Sequence, residues 1–227
     1  MEIKPIAYIK NDYKEKFGIP RQSGLVKSIV SKIVFEPDYR DNNCLRGIEG
    51  YSHLWLIWQF SENAEAGWSP TVRPPRLGGN VRMGVFATRS PFRPNPIGLS
   101  CVEFEKVEYG EEGPVLYVKG ADLMDGSPVL DIKPYVPYAD SHPEAQSGFA
   151  GDVFEHRMEV EISDELLKEI PEEKREALLE ILAQDPRPGY QREEERIYGI
   201  EYGDKNIRFR GTKERLIVTA VDNVRKE

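Results

Sequence analysis

A chain of 227 residues with 31 Lys and Arg, 39 Asp and Glu and a formal net charge of −8 can bury one substantial core, or one core and a small subdomain, without disulfides or metals. The acidic balance argues against indiscriminate coating of nucleic acids, so charge has to be read locally. Two cysteines without a CxxC pair, no apolar leader and no apolar run longer than 54–60 indicate a cytoplasmic protein that does not cross a membrane.

Short runs rich in β-branched and aromatic residues, separated by Gly, Pro and Asn, predict strands along most of the chain. These runs are 3–10, 26–35, 54–60, 97–109, 115–119, 129–132, 158–162, 196–202, 206–210 and 215–221. In the fourth run the alternation of apolar and polar residues loses phase at Lys106, which predicts a β-bulge. Because long helices do not regularly separate the strands, we expect a mainly β fold with a curved sheet or barrel.

One helical region is predicted between Ser163 and Gln184. Ser163 offers an N-cap, Pro171 suits the first turn of a second helix, and an apolar face is expected from Leu178, Leu179, Ile181 and Leu182. With the strands that follow, this region predicts a small C-terminal α+β subdomain at 152–227, joined by a loop at 139–151 to a first domain at 1–138.

Residues 66–102 contain no acidic side chain but carry five arginines, Arg73, Arg76, Arg82, Arg89 and Arg93. The end of this stretch, GVFATRSPFRPNPIGLS at 84–100, includes three prolines, which predict a stiff loop. The arginine forks match carboxylate or phosphate, and Asn95 can both donate to and accept from a base. The loop therefore suggests a site for an anion, with RNA favoured. The alternative is a Pro-rich connector whose arginines pair with surface acids.

Two further segments hold residues suited to a polar ligand. In the PRQ run at 20–22, Arg21 and Gln22 could together hold a carboxylate. In the DLMDGSP turn at 122–128, Asp122 and Asp125 can accept hydrogen bonds from hydroxyls or amines. Both segments could equally be structural turns.

Basic residues also cluster towards the C-terminus. Arg208 and Arg210 are expected on one face of a strand, opposite Ile207 and Phe209, and together with Arg187 they could clamp a phosphate backbone. The alternative is a solvated charged face. The three histidines have no metal-ligand spacing, and the chain has no P-loop, GxSxG or GxGxxG motif, so neither a zinc site nor Rossmann-type cofactor binding is expected.

The combination of PRQ, SHLW at 52–55, the 84–100 run, DGSP followed by DIKPY at 131–135, and DPRPGY at 185–190 resembles the TsaA-like family. Bacterial members of that family include the methyltransferase of threonylcarbamoyladenosine in tRNA. The resemblance implies an N-terminal β-barrel that binds S-adenosylmethionine without a Rossmann fold. It also implies a homodimer and methylation of the modified adenosine immediately 3′ of the anticodon.

The resemblance assigns cofactor contacts to four parts of the chain. These are Pro20, Arg21 and Gln22; Ser61 and Glu62; Arg89 and Leu99; and the turn Asp122, Leu123, Met124 and Asp125. The tRNA anticodon arm would then be held by Arg93, Asn95, Arg187, Arg208 and Arg210. Asp125, Asp131, Tyr135 and His53 are unranked candidates for a general base, so no catalytic residue is assigned.

The leading hypothesis is a tRNA methyltransferase. A second hypothesis is a non-catalytic RNA-binding adaptor in which the same basic face binds RNA and the PRQ pocket is vestigial. A third is a small-molecule methyltransferase whose activity does not need the C-terminal subdomain.

Overall fold

The elements are given for a computed structural model of the protein, which describes residues 2–63, 67–77, 80–153, 157–187, 193 and 196–224. The strands in these residues are β1 (Ala7–Lys10), β2 (Val30–Phe35), β3 (His53–Gln59), β4 (Thr71–Val72), β5 (Met83–Gly84), β6 (Ile97–Gly110), β7 (Gly113–Lys119), β8 (Pro128–Pro134), β9 (Glu159–Glu161), β10 (Tyr198–Tyr202), β11 (Lys205–Gly211) and β12 (Arg215–Asn223). The helices are α1 (Pro137–Asp140), α2 (Asp164–Lys168) and α3 (Glu172–Ala183). Short 3₁₀ turns lie at Pro37–Tyr39, Asn42–Leu45, Ile48–Gly50, Ser61–Asn63, Pro75–Leu77, Val85–Ala87 and Gly148–Val153.

Six strands close into a barrel in the order β1-β2-β7-β6-β3-β8, with every neighbouring pair antiparallel. Alternate residues of β3, namely Leu54, Leu56 and Trp58, point into the barrel core. The predicted bulge is confirmed, since the register of β6 against β7 shifts between Phe104 and Lys106. Because β6 pairs with β3 through its first half and with β7 through its second, the bulge bends the strand where it changes partners. The predicted mainly β fold with a barrel is confirmed.

The C-terminal part forms a second, four-stranded sheet in the order β10-β11-β12-β9, in which only the β12–β9 pair is parallel. The Ser163 hydroxyl caps α2 by accepting a hydrogen bond from the Leu166 N–H at 3.4 Å, as the sequence predicts. The buried residues of α3 are Ala177, Leu178, Ile181 and Leu182, whereas Leu179, expected on this face, is only half buried. Across the described residues, no helix is long and apolar enough to cross a membrane.

The barrel and the C-terminal part also contact each other through residues 12–29, here called the linking segment. This segment leaves the barrel after β1 and returns to it at β2. Its Tyr13, Val26 and Ile29 are buried in the same hydrophobic core as α3 and the C-terminal sheet, and Tyr13 pairs with Tyr202 in an isolated β-bridge. The packing therefore crosses between the barrel and the C-terminal part, and the boundaries at 138 and 152 stay a prediction. Contacts from both the barrel and the C-terminal part therefore position the PRQ run.

Candidate functional site

The PRQ run and the Arg89 loop meet at the surface of the barrel. The Arg89 guanidinium donates from Nη1 to the side-chain oxygen of Gln22. The linking segment is held there because the Gly24 N–H donates to the Gly120 carbonyl at 2.8 Å. Both glycines have left-handed φ angles, +77° and +75°, and a Cβ on Gly120 would lie 3.3 Å from the Gly24 Cα. Glycine at position 120 lets the two backbones approach, and glycine at position 24 permits the left-handed turn, which together bring Gln22 next to Arg89.

Asp122 lies beside this contact and is held by a relay of side chains from the barrel. The Trp58 indole N–H donates to the Ser100 Oγ at 3.0 Å, and the Ser100 hydroxyl donates to the Asp122 Oδ1 at 2.5 Å. Trp58 can lie against β6 because residue 98 is glycine, where a Cβ would come within 2.2 Å of the indole. The relay fixes the orientation of the Asp122 carboxyl group.

The electrostatics of Asp122 connect it to both the PRQ run and Arg89. Burial raises the pKa of this carboxyl group from 3.8 to about 6. The Ser100 hydroxyl, the Arg89 positive charge and the Ser23 backbone N–H oppose that rise in pKa. Three of the four predicted cofactor segments therefore converge here, and the site presents a guanidinium, an amide and a carboxyl group to one ligand. Such a set suits a ligand that carries both a negative and a positive charge.

Leu99 does not join this group through its side chain. It follows Gly98 and precedes Ser100 on β6, and its side chain is 54% exposed while Ser100 is buried. Because neighbouring residues of a strand point to opposite faces, the Leu99 side chain points away from the Ser100 hydroxyl. The Leu99 side chain therefore takes no part in the relay that holds Asp122.

Ser61 and Glu62 form the start of a 3₁₀ turn directly after β3, and both are exposed. The Glu62 carbonyl accepts a hydrogen bond from the Lys16 ammonium at 3.2 Å, which ties this turn to the linking segment four residues before Pro20. Pro20 itself is buried, while Arg21 is exposed. The fourth predicted segment is thus joined to the PRQ run through Lys16.

The remainder of the Asp122–Asp125 turn is engaged with β1 and the residues after it. Leu123 is fully buried in the barrel core, and its carbonyl accepts from the Asn11 side chain at 2.9 Å. Met124 is half buried, and its carbonyl accepts from the Ser127 N–H. Asp125 accepts from the Lys14 ammonium at 2.8 Å. Leu123 therefore offers a ligand only its backbone, and the turn as a whole positions Asp122.

The pKa of Asp125 bears on its candidacy as a general base. Partial burial acts to raise this pKa, but hydrogen bonds from Lys14 and from the Asn11 N–H outweigh it and hold the pKa below its usual value. A carboxylate tied to an ammonium in this way is a weak proton acceptor. The hydrogen bonds from Lys14 and Asn11 therefore give Asp125 a structural role.

The other candidate bases lie elsewhere on the barrel. His53 begins β3 and Tyr135 follows β8, with their ring centroids 6.2 Å apart. Trp58 is five residues along β3 from His53, which at 3.3 Å per residue places the two Cα atoms about 16 Å apart. Asp131 pairs in register with Ile57 and forms an ion pair with Lys133 at 3.2 Å. The structure thus brings neither His53 nor Tyr135 to the Asp122 carboxyl group.

The arginine-rich stretch has mixed roles. Arg93 is half buried and donates from Nη1 to the carbonyls of Thr88 and Ser90, at 3.1 and 3.3 Å, so it braces its own loop. Asn95, Arg73 and Arg82 are exposed. The side chain of Arg76, and residue 66 at the start of the stretch, lie outside the described residues. The exposed arginines, Arg73 and Arg82, provide positive charge that can bind an anion.

The predicted alternation along β11 is confirmed, with Arg208 and Arg210 exposed and Ile207 and Phe209 buried. Arg208 forms an ion pair with Asp222 at 2.8 Å on this surface, where both side chains are about half exposed. An ion pair at this exposure is weak enough for a phosphate to displace Asp222.

Arg187 is different, because its side chain is 2% exposed and its donors are all directed into the protein. It donates to Asp185 at 2.8 Å, to the Gly211 carbonyl at 2.6 Å and to the Thr212 carbonyl at 2.8 Å. The guanidinium therefore ties the loop after α3 to the end of β11, and the expectation that Arg187 contacts tRNA stays a prediction. Residues 188–190 of the DPRPGY motif lie outside the described residues.

Sequence reasoning missed Trp58, Ser100 and Ser23, which orient Asp122. One signal was available, because a glycine inside a strand, as at position 98, marks a close approach of another group. The partner could not be named, since Trp58 lies on a different strand.

Two family models match consecutive parts of the chain. The tRNA-methyltransferase O N-terminal domain matches residues 8–141, and the TrmO C-terminal domain matches residues 155–224. The chain belongs to the tRNA-methyltransferase O family. The site described above, built on the barrel, falls mainly in the first of these two regions.

Three individual proteins illustrate what the chain is similar to. An Escherichia coli protein named tRNA (adenine(37)-N6)-methyltransferase is 46% identical over 219 residues, which cover 93% of each chain. A crystal structure of TrmO from Pseudomonas aeruginosa is similar with a TM-score of 0.79 and 34% identity, over 98% of this chain and 99% of that one. A Pyrococcus abyssi protein, named a "Probable S-adenosyl-L-methionine-binding protein", is 35% identical over 64% of this chain and 74% of its own length.

Proposed function

We propose that this protein transfers a methyl group from S-adenosylmethionine to the exocyclic N6 nitrogen of threonylcarbamoyladenosine, the modified adenosine next to the tRNA anticodon. The observation that carries the proposal is the convergence of Gln22, Arg89 and Asp122 at one place on a barrel of this family. The relative of 46% identity, whose name specifies methylation of adenine N6 in tRNA, supports the same reaction.

The residues at this place fit S-adenosylmethionine. The cofactor carries a carboxylate, which Arg89 and Arg21 would hold, and positive charge on its ammonium and sulfonium, which the Asp122 carboxylate would balance. When bound, the cofactor supplies an electrophilic methyl group on a sulfonium that leaves as a neutral thioether. Asp122 can serve as the anion because the relay from Trp58 through Ser100 holds its orientation.

The task of the protein in the reaction is alignment. The N6 lone pair is delocalised into the purine and the carbonyl of the threonylcarbamoyl group, which makes N6 a weak nucleophile. As the N–C bond forms and the S–C bond breaks, the N6 proton would pass to water or to a base, and displacement at the methyl carbon requires an in-line approach. Arg89, Gln22 and Asp122 would hold the cofactor against the barrel at the place where they converge. Holding both reactants in line can supply several kcal/mol of barrier lowering, on the order of 7 kcal/mol in well-oriented systems.

The tRNA anticodon arm would be held by arginines and one asparagine on both parts of the chain. These are Arg73, Arg82 and Asn95 near the barrel and Arg208 and Arg210 on β11, together with any donor that Arg93 has left over from its own loop. We further propose that the protein works in the cytoplasm as a homodimer, and that its domains are 1–138 and 152–227 with a connection at 139–151. Sedimentation at several protein concentrations tests the dimer.

The test of the function is methyl transfer from labelled S-adenosylmethionine to tRNA that bears or lacks the threonylcarbamoyl group. The proposal predicts label on the modified tRNA only. Equal transfer to both tRNAs, or none to either, refutes it. Arg89→Ala should abolish most transfer at low cofactor concentration, whereas Arg46→Ala, which removes an exposed guanidinium in another turn, is the matched control.

Calorimetry with S-adenosylmethionine separates this proposal from the non-catalytic adaptor, which predicts no cofactor binding. A small-molecule methyltransferase would bind the cofactor but keep its activity when Arg208 and Arg210 are both replaced.

A further inference from the structure

The beginning of the linking segment is attached to the C-terminal part of the chain by direct polar contacts. The Lys174 ammonium on α3 donates to the Asp12 carboxylate at 2.9 Å. The Gly203 N–H donates to the Asp12 carbonyl at 3.0 Å, and the Glu201 N–H donates to the Glu15 carboxylate at 2.8 Å. These contacts fix the residues that precede the PRQ run to α3 and the end of β10.

The end of the linking segment is attached to α3 through a single carboxylate. The backbone N–H and the hydroxyl of Ser28 both donate to the Oε2 atom of Glu180, at 3.1 and 2.7 Å. Val26 and Ile29, on either side of Ser28, are buried in the core that contains α3. Two hydrogen bonds to one charged acceptor are stronger and more directional than neutral ones. They set where the segment turns back towards the barrel.

The middle of the segment packs against the C-terminal core through Phe17 and Ile19 but also borders open space. A cavity of about 170 Å³ lies between residues 16–21 and the end of α3, lined on the α3 side by Ile181, Gln184 and Pro186. Because Pro20 and Arg21 border this cavity, the position of the PRQ run depends in part on the attachments on either side of it. After Gln22 and Ser23, the residues that meet Arg89 and Asp122, the Gly24 N–H is bonded to the barrel at Gly120, and the next polar attachment, at Ser28, is the one that Glu180 makes to the C-terminal part.

We propose that Glu180 is a positioning residue for the cofactor site: by holding Ser28 it fixes the PRQ run over the cavity, so the C-terminal part of the chain sets the affinity of the barrel for S-adenosylmethionine. This inference rests on the proposed function, because it takes the PRQ run to bind that cofactor. Glu180 acts through Ser28 and does not itself touch the ligand.

The test compares Glu180→Ala, Glu180→Gln and Ser28→Ala with wild type, and uses Glu176→Gln as the matched control because Glu176 is an exposed carboxylate on the same helix. Glu180→Ala is expected to raise the Kd and the KM for S-adenosylmethionine about tenfold, as loss of charge-assisted hydrogen bonds implies. Glu180→Gln, which keeps an acceptor, should recover part of this loss, and Ser28→Ala, which keeps the backbone N–H, should show an intermediate effect. The kcat at saturating cofactor and the Kd for tRNA should stay within about twofold of wild type.

A merely structural role predicts a different pattern, in which Glu180→Ala lowers kcat and tRNA affinity together with cofactor affinity. That pattern overturns the inference, and so does an unchanged cofactor Kd in Glu180→Ala or an equal rise in Glu176→Gln. If Glu180→Ala does not fold, Ser28→Ala decides by the same criteria. Wild-type protein that binds no S-adenosylmethionine would refute the proposed function itself, whereas wild-type binding with unchanged variants refutes only the role of Glu180.

Discussion

Replacement of Asp122 by Asn should make the protein more stable at neutral pH, and the gain should grow with pH. In the native protein the Asp122 carboxyl group has its pKa raised from 3.8 to about 6, chiefly because it is buried. Above pH 6 the native state must therefore hold a poorly solvated negative charge, which the unfolded chain exposes to water at no such cost. Asn keeps the shape and a carbonyl oxygen for the Ser23 N–H but carries no charge.

The magnitude follows from the two pKa values. The native state binds more protons than the unfolded state between pH 3.8 and about 6, so the free energy of unfolding falls as pH rises through this window. A rise in pKa from 3.8 to about 6, at about 1.4 kcal/mol per pKa unit, corresponds to ~3 kcal/mol of destabilisation well above pH 6. About half of this destabilisation is already present at pH 5. The free energy of unfolding is therefore expected to fall by a further ~1.4 kcal/mol between pH 5 and pH 8 because of Asp122.

The assay is urea unfolding of wild type and Asp122→Asn at pH 5, 6, 7 and 8, analysed as the difference between the two proteins at each pH. Taking the difference removes the contribution of every other titrating group that the substitution leaves alone. Asp38→Asn, which removes an exposed carboxylate from the Pro37–Tyr39 turn, is the control. A difference for Asp122→Asn that is the same at every pH, or that shrinks as pH rises, refutes the reasoning.

Three further outcomes are expected. Arg89→Ala should weaken binding of S-adenosylmethionine at least tenfold by calorimetry while leaving tRNA affinity nearly unchanged, and an effect confined to tRNA would remove Arg89 from the cofactor site. Arg208→Ala combined with Arg210→Ala should weaken tRNA binding and lower the slope of log Kd against log salt by about 2, and an unchanged slope would take β11 out of the tRNA interface. Gly98→Ala should destabilise the protein by about 2–3 kcal/mol in urea, because its Cβ would lie 2.2 Å from Trp58, and wild-type stability would show that the indole can move aside.

Much of the fold could be predicted because its signals are local. Strands can be recognised by the alternation of apolar and polar residues, as in β11. The bulge in β6 appears as a break in this alternation at Lys106. The β4–β5 hairpin was missed because each strand has only two residues, too few for a periodic pattern. Barrel closure between β1 and β8 depends on contacts between residues more than 100 positions apart, which periodicity does not encode.

The sequence predicts those site residues that can be chosen by their charge. It does not predict which charged residues are buried and so have no donor left for a ligand. Arg89 and Asp122 could be chosen for their chemistry, and the structure brings them together. Arg187 has the same chemistry, but the carbonyls of Gly211 and Thr212 enclose it, and no sequence pattern reveals which arginine will be covered. The Glu180 attachment joins residues 152 positions apart, so only the folded chain could reveal it.

The crossing of the linking segment also affects how the chain is made. Residues 12–29 leave the ribosome with the first barrel strands, long before α3 and the C-terminal sheet that cover Val26 and Ile29. Once β8 has emerged, the barrel can close while the side chains of Val26 and Ile29 are still exposed to water. Burial of the segment therefore has to wait for α3 and the C-terminal sheet, and a nascent chain that ends before α3 would leave Val26 and Ile29 exposed to water.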